Sequence, residues 1–192
     1  EAYKQELLEA EGIWKSQGAK FLNTPGAICR LLDKRACKET LVKAGIPVTQ
    51  MVNRPEGISI ACGKDLMEAM RETKVFQVFV KPVSGSGAAG IGALRLRPGG
   101  NEAALYTCAY LNREGKLYNT KRLRCSRDPE EILKILDALL SMDCVVERWY
   151  AKEEYQGCSY DLRAVIQEGR MDFLLARLSR GPITNLHLNN RP

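Results

Sequence analysis

Apolar positions recur at two periods along this chain, near 3.6 in some stretches and near 2 in others. Residues 1–15, "EAYKQELLEAEGIWK", bring Leu7, Leu8 and Ile13 near one helical face, and Gly18 is the stop. "KFLN" (20–23) predicts a short strand. Thr24 and Pro25 supply an N-cap and a first-turn proline. The helix they open runs to about Ala44 on Ile28, Leu31, Leu32, Leu41 and Val42, and Gly45 ends it. "IPVTQMV" (46–52) predicts a strand and "GKDLMEAMRET" (63–73) an amphipathic helix. "VFQVFVKPV" (75–83) is a buried strand, and "IGALRLRP" (91–98) alternates as a half-buried one does. Residues 104–124 hold two strands around Asn112 to Gly115. Asp128-Pro129-Glu130-Glu131 opens a helix to Ser141, with Ile132, Leu136, Leu139 and Leu140 at helical spacing. "CVVERWY" (144–150) is a buried strand; residues 160–181 read as strand, a turn at Glu168-Gly169, and strand; the tail is loop-like.

Helices therefore mix with hairpins rather than alternating strictly with strands. That order predicts α+β lobes, not a doubly wound parallel sheet. No internal repeat or low-complexity segment interrupts it.

With 192 residues, the chain is sized for one domain or two small lobes. A 45% hydrophobic, 27% charged composition predicts an ordinary globular core. No stretch approaches the roughly 20 apolar residues of a membrane helix, and no N-terminal segment reads as a secretory signal. No membrane partner is expected. The chain opens on Glu1 rather than Met, as a processed chain or fragment would. Seven cysteines are scattered without C-x-x-C spacing, and His187 is the single histidine. This argues against zinc and for reduced thiols in a cytoplasmic protein, most of them packed as small core residues. The net charge of +6 suits polyanions, from nucleotides to nucleic acid. With no recognised nucleic-acid motif, nucleic acid is not the expected partner; a basic nucleic-acid-binding module is the weakest of three readings.

"VKPVSGSGAAGIGALRL" (80–96) contains Gly85, Gly87 and Gly90 in G-x-G-x-x-G spacing. A dinucleotide-binding turn needs a helix after the glycines. Here a strand-like run follows, broken by Pro98, Gly99 and Gly100. A kinase loop puts its lysine on the following strand, whereas Lys81 precedes these glycines. No G-K-[ST] closes a Walker loop. What remains is a β-hairpin whose small-residue tip (Ser84, Gly85, Ser86, Gly87, Ala88, Ala89, Gly90) lets backbone N–H groups approach a phosphate, with Lys81 in reach as a point charge. A mobile loop on a strand ending in Lys-Pro is the plainer alternative.

"LLDKRACKETLVKAGIPVT" (31–49), "FVKPVSGSGAAGIG" (79–92) and "VVERWY" (145–150) stand in one order, with the 129–141 helix before the last. In that order they resemble the ATP-grasp superfamily, in which two α+β lobes grip ATP. The resemblance covers nearly the whole chain. It implies that Lys34 (with Lys38 as a rival) and Lys81 hold phosphates, and that the hinge of Glu147, Arg148, Trp149 and Tyr150 receives adenine. "YDLRAVIQ" (160–167) is similar to the family's D-[LI]-R strand. The match puts Asp161 near the ribose and Arg163 toward the phosphates, though the two could instead pair with each other or with neighbours. Glu153 and Glu154 are further ribose candidates. "ARLSRGPITNLHLNN" (176–190) looks like the R-x-x-x-G-x-x-x-N-L-H segment of peptide-ligase-like members, making Arg177 and Asn185 phosphate- or substrate-side contacts. His187 reads as a structural loop histidine. Spore-coat-associated ATP-grasp proteins of endospore formers look closest.

The resemblance implies an ATP- and Mg²⁺-dependent ligase that joins a carboxylate to an amine or a thiol through an acyl-phosphate. The carboxylate and the nucleophile are not identified by it. It also implies lobes at 1–45 (a helical lead-in), 46–147 and 148–192, incomplete at both ends. No Asp or Glu follows Asp172, so no metal ligand is assigned, and Asn189 and Asn190 cannot replace the carboxylates that Mg²⁺ needs. A non-catalytic nucleotide-binding or structural spore-coat protein is the alternative reading.

Overall fold

The structure is a computed structural model and describes residues 2–52 and 59–185. It is mixed α and β with antiparallel sheets, and it divides into two compact units: Glu1–Val48 with Val83–Ser86, and Thr49–Pro82 with Gly87–Pro192.

The first unit is helical. Helix α1 (Ala2–Ser16) buries no residue; Leu8 and Ile13 are at least half exposed. Helix α2 (Pro25–Leu32) begins as the sequence predicts, with Thr24 Oγ1 accepting from the Ala27 amide at 3.3 Å. The single helix expected to Ala44 is two, because Asp33 turns extended and caps α3 (Lys34–Lys43). Its carboxylate accepts the Arg35 and Ala36 amides at 3.0 Å each, and such an N-cap outweighs helix continuity. The strand expected at 20–23 is absent: these residues lack a ladder partner and run as bend and coil.

The second unit holds the core. Helix α4 (Gly63–Glu72) and strands β1 (Gln77–Pro82), β2 (Gly92–Leu96), β3 (Ala103–Leu111) and β4 (Leu117–Ser126) are followed by helix α5 (Pro129–Leu140) and β5 (Cys144–Arg148). The five strands form one antiparallel sheet in the order β4-β3-β2-β1-β5. The apolar faces of α4 and α5 cover one side of it: Leu66, Met70, Leu136 and Leu139 pack with Val78, Val80, Leu94 and Leu105, all fully buried. The strand expected at 46–52 reduces to one bridge, Met51 with Glu147.

A second sheet, β6 (Glu154–Tyr155), β7 (Cys158–Gln167) and β8 (Arg170–Ser179), is joined by two-residue turns at Gln156-Gly157 and Glu168-Gly169. All four turn residues have φ between +50° and +75°, as such hairpins require. Leu162, Ile166, Met171 and Phe173 on this sheet are each more than half exposed. The cysteines depart from expectation: all seven are free thiols, but only Cys108 is buried. Cys125 is exposed and the other five are half-buried, Cys144 packing against the edge of the larger core cluster.

Candidate functional site

The glycine segment joins β1 to β2, which pair antiparallel with Val80 opposite Gly92. It is therefore a hairpin, and the dinucleotide-turn reading is closed. Its two halves fall in different units. In the first, Ser84 bridges Asp33, the Lys34 amide donates to Val83 O at 3.0 Å, and Lys34 Nζ donates to Gly85 O at 2.9 Å. Ser84, Gly85 and Ser86 are exposed.

In the second unit, Ala88 and Gly90 are buried and Ala89 is exposed. Gly90 has φ +67°, and a Cβ there would meet Pro82 Cγ at 2.8 Å, so glycine is required twice over. The Gly90 amide donates to Asn119 Oδ1 at 2.9 Å, and the Cys108 thiol donates to Ala88 O at 3.1 Å. Burial pushes the Cys108 thiol up in pKa, which keeps it a neutral donor. The inner half of the loop is thus fastened to β3 and β4.

Because direct partners in a ladder share a face, β1 and β5 present Phe79 and Glu147 together, with Lys81 two residues on. Lys81 Nζ pairs with Glu147 Oε1 and lies 5.0 Å over the Phe79 ring. Thr49 Oγ1 donates to Glu147 Oε2 at 2.7 Å. Glu147 is only 5% exposed, and a carboxylate so buried needs these partners.

Facing this pair, β7 and β8 set Asp161 opposite Arg177. The guanidinium forks onto the carboxylate: Nε donates to Oδ1 at 2.7 Å and Nη2 to Oδ2 at 2.6 Å. Thr184 Oγ1 donates to Oδ2 at 2.6 Å, and Lys152 Nζ donates to Thr184 Oγ1 at 2.7 Å and to Pro182 O at 3.1 Å. Burial alone would raise the Asp161 carboxyl, but the bonds from Arg177 and Thr184 and the charges of Arg177 and Lys152 hold it below the ordinary carboxylate range. Burial lowers Lys152, and the charge of Asp161 opposes that shift.

These groups line one cleft of about 370 Å³, whose walls include Phe79, Lys81, Ile183 and Asn185. Arg148 and Tyr150 line it too, the guanidinium 5.2 Å over the Tyr150 ring. At the hinge the Arg148 amide is taken by Gln50 O at 2.8 Å and the Trp149 amide by Gln77 O at 2.9 Å. The peptide groups of Tyr150 and Ala151 have no partner among the described residues.

Of the residues singled out in the sequence, Lys81, Glu147, Arg148, Tyr150, Asp161, Arg177 and Asn185 meet at this cleft. Trp149 does not line it; its ring packs against Phe79 (5.4 Å between centroids) and edge-on to Tyr106 (6.3 Å). Arg163 is exposed, and Asp161 pairs across the ladder with Arg177 rather than along its strand with Arg163. Glu153 and Glu154 are exposed and do not line the cleft. Lys34, Lys38, Ser84, Gly85 and Ser86 belong to the first unit. His187, Asn189 and Asn190 lie outside the described residues. Sequence reasoning missed Thr49, Lys152 and Thr184. Lys152 sits in a run of charged residues that looks solvated, and nothing local sets it apart.

Comparison of the chain with protein families, with curated proteins and with solved structures finds no match.

Proposed function

We propose that this chain is an ATP-grasp module that binds ATP, part of a ligase that activates a carboxylate as an acyl-phosphate for attack by an amine or a thiol. One observation carries the reading: the Lys81–Glu147 pair below the glycine hairpin and the Asp161–Arg177 pair of the second sheet line a single cleft. The cleft pairs apolar walls with a few convergent polar groups, as ligand pockets do. Phe79, Ile91 and Ile183 offer the apolar contacts a purine needs, beside the peptide groups of Tyr150 and Ala151, which have no partner among the described residues.

When bound, ATP supplies the phosphoryl group. The chain supplies position and charge. Lys81 exchanges part of its interaction with Glu147 for phosphate oxygens, and Thr49 keeps Glu147 hydrogen-bonded as it does so. Asp161, locked by Arg177 and Thr184, presents its remaining acceptor capacity to a ribose hydroxyl. The Asn119 and Cys108 anchors hold the inner half of the hairpin in shape.

Among the described residues no three His, Cys, Asp or Glu side chains gather to hold a metal, and the two cleft carboxylates are engaged by Lys81 and Arg177. These residues do not supply a magnesium site. The second reading is a protein that binds nucleotide without turning it over. On either reading it works in the cytoplasm or with the spore.

The test is thermal unfolding with and without ATP. A binding-competent cleft raises Tm with ligand excess, by about 2.7 kcal/mol of stability at one hundred times Kd. Lys81→Ala combined with Glu147→Gln, which leaves no buried carboxylate without its cation, is expected to remove that gain, with circular dichroism checking the ligand-free fold. No rise in the unaltered protein at millimolar ATP would sink the proposal.

A further inference from the structure

We propose that the groove crossing β1, β2 and β3 is a binding site for single-stranded nucleic acid. Two adjoining cavities of about 1020 and 330 Å³ share Gln77, Arg95 and Tyr106. Arg97 and Arg127 line the first and Arg180 the second, so the fold gathers four arginines spread over 86 residues of sequence. Against them, the carboxylates lining the two cavities are Glu102 and Glu154. Lys81 and Glu147 do not line this groove; its smaller cavity adjoins the nucleotide cleft at Ala151, Lys152 and Pro182, whereas Arg95, Arg97, Arg127 and Arg180 line the groove and not the cleft.

Arg95 carries the argument. Its guanidinium lies 5.0 Å over the Trp149 ring, and Trp149 is itself fixed by Phe79 and Tyr106. A guanidinium backed by an indole is held flat, and its outer plane is a platform on which an unpaired base stacks. No carboxylate among the described residues pairs with Arg95, Arg127 or Arg180, all of which are exposed. Arg97 pairs with Glu102 at 3.0 Å, but both are mostly exposed, and a phosphate displaces so weak a pair at little cost. Aromatic platforms flanked by cations are how proteins bind single strands without reading sequence.

An acidic peptide would also seek arginines. But β1 lies between β2 and β5, β2 between β1 and β3, and β3 between β2 and β4. All three backbones are already paired, so an extended peptide finds no edge to join. The opening is also larger than a single phosphate or carboxylate fills.

The experiment is fluorescence anisotropy with a labelled oligouridylate of about 12 nucleotides, a length within the span of known single-strand sites. Saturable binding is expected, weakening as salt rises. The Arg95→Ala/Arg127→Ala protein should bind at least about tenfold more weakly, with the salt slope shallower by roughly 1.4. A charge-matched control, Arg113→Ala/Arg170→Ala, alters exposed residues outside the groove and should stay within about twofold of the unaltered protein. Arg95→Lys keeps the charge but loses the planar stack, and a several-fold loss is expected. Circular dichroism checks that each variant is folded. No saturable binding at low salt overturns the proposal, as does an equal loss in the charge-matched control. Displacement of the RNA by an equally charged polyglutamate at equal concentration would assign the groove to acidic peptides instead.

Discussion

At the residue scale, the cleft is built from charges that satisfy one another. Asp161 is the clearest case, a carboxylate with a forked arginine, a hydroxyl and a nearby ammonium. Its folded pKa lies below the unfolded value of about 3.9. Its stabilising contribution is therefore complete above that value and is lost as pH falls through the lower, folded one. Asp161→Asn is expected to cost about 1–2 kcal/mol in urea denaturation at pH 7, since the site is part-exposed and the hydrogen bonds are charge-assisted. The gap between variant and unaltered protein should hold at pH 5 and narrow below about pH 4. A gap that stayed constant down to pH 2 would mean that the carboxylate's charge is not what stabilises the site.

At the element scale, α5 and the sheet under it form the rigid part of the second unit. Leu136 is fully buried between α4 and the strands, with its Cβ 3.0 Å from where a Gly63 side chain would begin. Leu136→Ala should lower stability by about 2–5 kcal/mol, read from the shift in the denaturation midpoint. An effect under ~1 kcal/mol would mean that the helix–sheet seam repacks freely. These elements were legible in the sequence because each repeats its signal. The helices of the second unit show apolar residues at helical spacing after a cap, and the strands alternate or run apolar between turns. What was not legible depended on one residue or on distant partners. Asp33 splits a helix that periodicity joins, because a single side chain captures two amides. The apolar run at 46–52 looks like a strand but makes only one bridge. The same holds for the site. Lys81, Glu147 and Asp161 stand in patterned strands. Thr49, Lys152 and Thr184 act through hydrogen bonds to residues 23 to 98 positions away, and no local pattern encodes these.

At the scale of the whole chain, the two clusters of buried apolar residues found among the described residues lie in the second unit. Helix α1 buries nothing. Hydrogen exchange should follow: amides of α1 are expected to exchange through local opening, well before those of β1, β2 and α5, which open only near global unfolding. Equal protection in all of them would show one cooperative body. The division also has a consequence for biosynthesis. The first unit needs Val83–Ser86, which stay unmade until about 35 residues after Val48. At roughly 5–20 residues per second, the helices leave the ribosome some 2–7 s before the carbonyl that receives the Lys34 amide exists. Until then the N-terminal stretch lacks its last partner, and a nascent chain stalled before Val83 should be the form most open to proteases.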